Sequence, residues 1–277
     1  MPVEAKPLFR PDALTPHLQA FAPSSQSLEK REVVKKWAEL LTGGGGKSFG
    51  EQQLLPDFVT DVFCGLLGYT RPADNPEHYT RAREKYVEVD GKFADAVLGE
   101  FSKNEDDKPI VALEGKGPND PLDRPYAGRK RSAVEQGYNY AINLPCDWII
   151  VTSMRETRLY HKGSDQQTYE RFMITELAEN DAVFNKFVVL LASERVVPAN
   201  GRCHFYELIE ASEKVGRNLT KEYYLRYADI REEVFESLCV ENEDQSRHAV
   251  LSATQKLLDR VLFTAFCEDR GLLPDDT

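Results

Sequence analysis

Two apolar stretches joined by a short charged segment constrain the fold of this chain more than any other feature. The first stretch is 92–101, the second is 109–117, and Ser-Lys-Asn-Glu-Asp-Asp-Lys lies between them at 102–108. Apolar residues bounded by a charged loop predict two paired strands of a hairpin. Because a helix fits 128–142 and strand patterns fit 147–152 and 157–161, the sequence predicts an α/β domain.

The residues before this hairpin predict an arm and two helices. Five prolines at 1–26 indicate an N-terminal arm without regular structure. An apolar stripe predicts a helix at 27–41 that Ser27 can cap. A second apolar stripe predicts a helix at 50–67 that Gly68 can end. The polar stretch 70–85 is expected to be irregular, with a short strand near 86–89.

The residues after the strands predict mainly helices. Beyond Gln167 the pattern turns helical, and its clearest helix carries a strong apolar stripe from Val250 to Phe266 and is closed by Gly271. A helix this apolar needs a partner surface, either on this domain or in a further part of a longer protein. We therefore expect a compact domain at 27–200 and a helical connector at 201–277.

Composition bounds the class of protein. The chain carries 35 Lys and Arg against 46 Asp and Glu, a formal net charge of −11, which argues against non-specific coating of nucleic acid. It does not exclude a nuclease, whose basic groups need only be local. No apolar run reaches the ~18 residues of a membrane helix, and no signal peptide is evident. Five scattered cysteines suit reduced thiols in a cytoplasmic protein.

Three side chains at the ends of the two hairpin strands form the candidate site. Glu114 and Lys116 lie two residues apart on one strand and so point to the same side. Pairing of the strands brings Asp95 beside Glu114. Two carboxylates can hold Mg²⁺ and an ammonium can orient water, while Gly115 and Gly117 let a ligand approach the backbone.

Context separates this motif from chance matches. An acid two residues before a lysine occurs four times, but only Glu114 and Lys116 end an apolar strand that follows an acid-bearing strand. The alternative is a pair of ordinary solvated strand residues. A second motif favours the site, since Gln-x-x-x-Tyr occurs once, as Gln136 and Tyr140 on the helix after Lys116, with both side chains on one helix face.

In this order, Asp95, Glu114-Gly-Lys116 and Gln136-x-x-x-Tyr140 resemble the PD-(D/E)xK nuclease superfamily. More closely, they resemble the N-terminal nuclease domain of single-chain, type IIG-like restriction–modification enzymes. The segments 147–160 and 253–274 are similar to the following strand pair and to the connector before the methyltransferase domain of those enzymes. The resemblance implies a restriction-endonuclease-like core, a mixed central sheet flanked by helices, followed by a helical segment.

The chain departs from the family pattern in two respects. Ala94 stands where the motif name has proline. No Asn-Pro-Pro-Tyr tetrad and no glycine-rich cofactor loop occurs in the sequence, so S-adenosylmethionine and methyl transfer are expected only in a C-terminal part outside these residues.

The resemblance also implies roles for individual residues. Asp95 and Glu114 would bind Mg²⁺ or Mn²⁺ with the Gly115 carbonyl, and Lys116 would position the attacking water. Gln136 and Tyr140 would contact a substrate phosphate or brace the site. An acid on the first core helix often joins such a site, and Glu51 is the candidate, although an acid also suits a helix start because of the macrodipole.

A basic cluster and the partners complete these expectations. The cluster flanks the start of the helix at 128–142, where it either contacts DNA phosphates or is simply solvated. The resemblance implies double-stranded DNA as partner, dimerisation on that DNA and a role in phage defence, with no membrane association. The four cations are Arg124, Arg129, Lys130 and Arg131.

Three other functions remain open from the sequence. One is a catalytically inactive DNA-binding or scaffold module of the same fold, and another is an end-processing DNA repair nuclease. The third is nucleotide binding, because 41–48 mimics a P-loop. Leu41 stands where that pattern needs glycine, and a helix is predicted before it in place of a strand.

Overall fold

A six-stranded sheet organises the computed structural model, which describes residues 5–21, 25–43, 49–87, 92–103, 106–126, 128–199, 201–269 and 272–273. The strands lie side by side in sequence order, and each neighbouring pair is antiparallel except the third and fourth, which run parallel. They are β1 (Tyr79–Val87), β2 (Lys92–Phe101), β3 (Lys108–Gly115), β4 (Trp148–Thr152), β5 (Glu156–His161) and β6 (Glu170–Met173).

Helices precede, connect and follow the strands. The third helix continues without a break as a π-helix, Val59–Leu66. The helices are α1 (Pro11–Gln19), α2 (Ser25–Thr42), α3 (Glu51–Phe58), α4 (Ala133–Asn143), α5 (Ile174–Glu179), α6 (Asp181–Leu191), α7 (Ser193–Val196), α8 (His204–Glu241) and α9 (Arg247–Asp269).

Both faces of the sheet are covered, which explains why its central strands are nearly continuous apolar runs. In β4, Trp148 and Ile150 join the core formed with α2, α3 and α6. Ile149 and Val151 join the core formed with α4 on the other face. The predicted α/β class, with a mixed central sheet flanked by helices, is therefore confirmed.

The crossover from β3 through α4 to β4 places the site. Parallel neighbours end at the same edge of a sheet, and α4 returns the chain so that β4 can lie beside β3. Gly137 allows this helix to approach closely, since a β-carbon there would lie 2.8 Å from Cγ2 of Ile149 and 3.1 Å from Cγ2 of Val151.

The prediction that the N-terminal arm lacks regular structure is wrong for Pro11–Gln19, which forms α1. Proline is tolerated in the first turn of a helix, where its missing N–H has no helical partner to lose. Phe9 is buried against the rings of Trp148 and Phe205, and Lys6 pairs with Thr168 in an isolated bridge. The arm is thus part of the core of the first unit.

The helix predicted at 50–67 is confirmed as α3 and the π-helix, and Gly68 ends it with φ of +82°. The helix predicted at 27–41 is confirmed as α2, but the Ser27 side chain lies outside the described residues. So do residues 44–48 of the P-loop-like segment. The helix expected at 128–142 begins later, at Ala133, because Ser132 caps it.

Both edge strands differ from the sequence expectations. β1 begins at Tyr79 inside the stretch expected to be irregular, and β6 lies in a region expected to be helical. Edge strands are often polar and lack apolar alternation, so their residues carry a weak strand signal. Thr80-Arg81-Ala82-Arg83 in β1 is such a sequence.

The chain divides into two compact units, Met1–Ser212 and Glu213–Thr277. The predicted boundary at residue 200 lies twelve residues before this division, and the connector role of the second unit stays a prediction. In the second unit the predicted apolar helix is confirmed as α9, although Gly271 lies outside the described residues. Where the chain is described, no helix has both the length and the apolar character needed to cross a bilayer.

Candidate active site

Asp95 and Glu114 meet where the pairing of β2 with β3 ends. The ladder between the strands runs as far as Ala96 opposite Leu113. Beyond this pair, the N–H of Gly115 donates a hydrogen bond of 2.7 Å to Oδ2 of Asp95. The two carboxyl groups lie close enough to interact, since the charge of Asp95 adds to burial in raising the pKa of Glu114. The structure therefore brings together the two acids that the sequence singled out.

Lys116 completes the group. Its Nζ donates to Oε1 of Glu114, and both side chains are buried, with Glu114 2% and Lys116 5% exposed. The backbone N–H of Lys116 donates to the carbonyl oxygen of Thr152 at 2.8 Å, which holds the residue beside the end of β4. One ammonium and two carboxyl groups thus lie together, with Glu114 and Lys116 buried and Asp95 partly exposed.

Burial sets the electrostatics of this group. It raises the pKa of Glu114 to about 8, an effect that Lys116 opposes and Asp95 reinforces. Burial also raises the pKa of Asp95, against the Gly115 N–H and Lys116, while nearby Glu51 adds to the rise. Two carboxylates beside one ammonium leave an excess of negative charge when both are ionised, so a cation would be stabilised there.

The donor set fits a hard divalent cation. Asp95, Glu114 and the Gly115 carbonyl offer oxygen atoms, the ligands that Mg²⁺ prefers. Among the residues that the structure describes, no group of three or more His, Cys, Asp and Glu is spaced to hold a metal. A two-carboxylate site suits Mg²⁺, which usually keeps several waters and binds substrate phosphates in addition to one or two carboxylates.

Glu51 is the first residue of α3 and lies close to Asp95, with which it lines a common cavity. Arg129 donates to Oε2 of Glu51 at 2.8 Å and to Oδ2 of Asp120 at 2.7 Å. Asp120 is an acid near the site that belongs to none of the sequence motifs. Its only signal is its position three residues after Gly117, with whose carbonyl its N–H forms a turn hydrogen bond of 3.0 Å.

Gln136 and Tyr140 lie behind Glu114. Nε2 of Gln136 donates to the carbonyl oxygens of Arg131 and Ser132, each at 3.2 Å. Tyr140 is 3% exposed and packs in the core beneath α4. The role expected for this pair, contact with a substrate phosphate or bracing of the site, stays a prediction.

The basic cluster precedes α4 and does not belong to its first turn. Arg124, Lys130 and Arg131 are exposed, whereas Arg129 is engaged by Glu51 and Asp120. The start of α4 is capped from within, because Ser132 and Glu135 form a reciprocal capping box. The cations therefore lie on the segment 116–132, which leaves β3 beside Lys116.

A cavity of about 200 Å³ opens beside Asp95. Its walls combine charged and apolar side chains from α3, the π-helix, β1 and β2. Two arginines of β1 also line it, and no sequence motif includes them. The lining residues are Glu51, Gln52, Leu55, Pro56, Val59, Arg81, Arg83 and Asp95.

Comparison with known proteins adds one distant likeness. No family model matches the sequence, and no curated protein matches it. Among solved structures, the chain is similar to one titled "cryoEM structure DrdV-DNA complex", at 19% identity and a TM-score of 0.35, over 57% of this chain and 96% of that chain. A likeness at this level carries no argument about the site, whose interpretation rests on its own geometry.

Proposed function

We propose that the domain at 27–200 is a metal-dependent DNA endonuclease of the PD-(D/E)xK type. The observation that carries this proposal is the convergence of partly exposed Asp95 with the buried pair Glu114 and Lys116 at the end of β3. Such a group has little value for stability, because buried ion pairs rarely exceed the cost of desolvating them. Its chemistry is that of a site for phosphodiester hydrolysis.

Each residue of the group has a role in this proposal. Asp95, Glu114 and the Gly115 carbonyl would hold Mg²⁺, or Mn²⁺ in its place. When bound, the ion supplies a Lewis acid that polarises the phosphoryl oxygen and lowers the pKa of a bound water. Lys116 orients the attacking water and offsets negative charge on the phosphate in the transition state.

The surrounding residues support the group. Glu51 stands at the mouth of the site, held by Arg129, which also neutralises part of the local negative charge. Gln136 holds the start of α4 through the Arg131 and Ser132 carbonyls, and Tyr140 packs in the core between α4 and β4. The three exposed cations of the basic cluster, on the segment beside Lys116, contact phosphates of double-stranded DNA.

The wider context is also a proposal. We infer a type IIG-like restriction–modification protein of the cytoplasm that acts in phage defence and dimerises on DNA. Its methyltransferase would use S-adenosylmethionine in a C-terminal part outside these residues. What supports this is the similarity of 253–274 to the family's connector, in a segment that folds largely as helix α9.

Replacing Lys116 tests the proposal. In the full-length protein, Lys116→Ala should abolish Mg²⁺-dependent cutting of unmethylated, closed circular DNA. Lys108→Ala is the matched control, because Lys108 lies at the opposite end of β3, is exposed and pairs with Glu100. It should cut like the unsubstituted protein. Unchanged cutting by Lys116→Ala would remove Lys116 from the chemistry.

The same assays separate the two alternatives. An inactive DNA-binding module would bind duplex DNA but neither take up metal through Asp95 and Glu114 nor cut. An end-processing repair nuclease would degrade linear DNA and leave closed circles intact. Cutting of closed circular DNA therefore supports the endonuclease over both.

A further inference from the structure

Arg81 is a buried cation beside the candidate active site. Its side chain is only 7% exposed, although arginine is almost always charged and seldom buried without a partner. Nη1 lies 3.8 Å from Sγ of Cys64, and Nε has no hydrogen-bond partner among the described residues. Arg81 forms none of the ion pairs found in the described part of the chain.

A buried guanidinium without an ion pair lowers the stability of the folded protein when no ligand is bound. A thiol is a weak acceptor and does not replace the water that burial removes. Asp74 lies near enough to interact with this charge, but its carboxylate is bound by Arg71. An anion that enters from the cavity, which Arg81 lines, would compensate the guanidinium directly. Phosphate fits a guanidinium fork, because it accepts two parallel hydrogen bonds.

The cavity fits a piece of nucleic-acid backbone. Its volume of about 200 Å³ is several times the ~30 Å³ that one water occupies in the liquid. Leu55, Pro56 and Val59 form an apolar wall, against which a sugar ring can pack. Asp95 lies at the boundary of the same cavity, so a backbone held there continues directly to the reacting group.

The charges in the cavity favour one place for a phosphate. Glu51 and Asp95 repel an anion at the active-site side, and Arg129 already binds Glu51. Arg81 and Arg83 attract an anion on the β1 side, and of the two only Arg81 is buried. A phosphate therefore finds its favourable position at Arg81 and not between the two carboxylates.

We propose that Arg81 binds a DNA phosphodiester next to the one that is hydrolysed, with the intervening sugar against Leu55, Pro56 and Val59. This inference rests on the proposed nuclease function and adds a substrate-binding residue to it. The cavity thereby fixes which phosphate reaches Asp95, Glu114 and Lys116.

Binding without metal tests the inference apart from cutting. The probe is a fluorescent DNA duplex in EDTA, with anisotropy recorded over a series of salt concentrations. Arg81→Gln should weaken binding about tenfold, as expected for a lost hydrogen bond to a charged group. It should also reduce the slope of log affinity against log salt by about one, the signature of one lost phosphate contact.

Two matched pairs of variants serve as controls for this measurement. Arg171→Gln removes an equal charge from an exposed arginine on β6, far along the sheet order from β1, and should leave the slope unchanged. Gln52→Glu and Gln53→Glu add the same charge to neighbouring exposed positions of α3, but only Gln52 lines the cavity. Gln52→Glu should weaken duplex binding several-fold more than Gln53→Glu.

Each outcome decides the inference. Equal affinity and slope for Arg81→Gln and the unsubstituted protein would overturn it, and continued cutting of DNA would show that the nuclease proposal stands. If Arg81→Gln does not fold, the glutamine pair decides, and equal binding by those two variants overturns the inference. Loss of binding specific to Arg81 and Gln52 together with cutting by the unsubstituted protein supports the inference. The same loss of binding in a protein that never cuts would support phosphate binding in the cavity and overturn the nuclease proposal, and with it the position next to a hydrolysed phosphate.

Discussion

Leu55 packs directly over Gly115, so closely that a β-carbon at position 115 would lie 2.4 Å from both δ-carbons of Leu55 and 2.9 Å from its γ-carbon. Leu55 is buried, and its whole side chain would have to move to make room. The glycine in the Glu-Gly-Lys motif therefore lets α3 reach the end of β3. This contact brings Glu51, one turn earlier in α3, beside Asp95.

Gly115→Ala should lower the free energy of unfolding by about 1–3 kcal/mol, the usual cost of overpacking a well-packed core. Urea denaturation measures this value. Leu55→Ala alone opens a cavity, but in the Gly115→Ala background it supplies the missing space. The double variant should therefore lose less stability than the sum of the single changes. Strict additivity would show that the two residues do not compete for space.

Metal binding should depend on Asp95 and Glu114. A ligand that binds only the folded protein raises its stability by mass action, so Mg²⁺ or Mn²⁺ should raise the melting temperature. Asp95→Asn combined with Glu114→Gln should remove this increase. Glu194→Gln, which changes an exposed acid on α7, should retain it. An equal increase in all three proteins would place the metal elsewhere.

His204 should make stability depend on pH. Nε2–H of His204 donates to the Leu190 carbonyl at 2.8 Å, and Nδ1 is buried with no partner among the described residues. Burial lowers the pKa of this histidine to about 4, below the ~6.5 of an unfolded chain. Between these values the unfolded state binds the extra proton, so this contribution is complete above pH 6.5 and is lost as pH falls towards 4. The loss is about 3 kcal/mol.

The measurement is denaturant unfolding at pH 7 and pH 4.5. His204→Gln cannot take up a proton, so its stability should fall less between the two pH values than that of the unsubstituted protein. His78→Gln, at an exposed histidine, should follow the unsubstituted protein. Parallel pH profiles for all three would contradict the role of His204.

Glu170 should hold the N-terminal segment in place. One carboxylate oxygen accepts the Phe9 N–H at 2.9 Å, and the other pairs with Lys186 at 2.5 Å. Glu170→Ala leaves the buried N–H without an acceptor, which costs about 1–3 kcal/mol. Chymotrypsin should then cleave faster after Phe9, whereas trypsin is blocked in this segment because Lys6 and Arg10 are each followed by proline. Glu170→Gln keeps an acceptor and should show intermediate cleavage, whereas unchanged cleavage of both variants would contradict this role.

The interior of the sheet was predictable, because its residues combine apolar runs with a clear turn signal. β2 has the bounds predicted for it, whereas β3 begins one residue earlier and ends two residues earlier than predicted. The convergence of Asp95 and Glu114 followed from alternation and hairpin pairing alone. Local patterns suffice here because one pair of neighbouring strands carries both acids.

The remaining parts depend on contacts between distant segments. Glu170 accepts a hydrogen bond from the backbone N–H of Phe9 and so holds Phe9 in the core. The residues around Phe9 do not predict this contact, because Glu170 lies far away in the sequence. Arg129 binds both Glu51 and Asp120, and the distance between Glu51 and Arg129 in the sequence gives no indication of this contact. In the sequence Arg81 does not differ from the other charged residues, and only its burial in the structure distinguishes it. Such residues carry no periodicity, so a sequence pattern cannot distinguish them from solvated ones.

The parallel pairing of β3 with β4 has a consequence for which parts of the sequence can change. The acids are fixed by the strand ladder, whereas the segment 116–132 leaves the sheet beside them and returns only through α4. Under the proposed function, insertions and substitutions in that segment would reshape the surface that meets the DNA without moving the acids. Substrate preference and chemistry would then reside in separate parts of the chain.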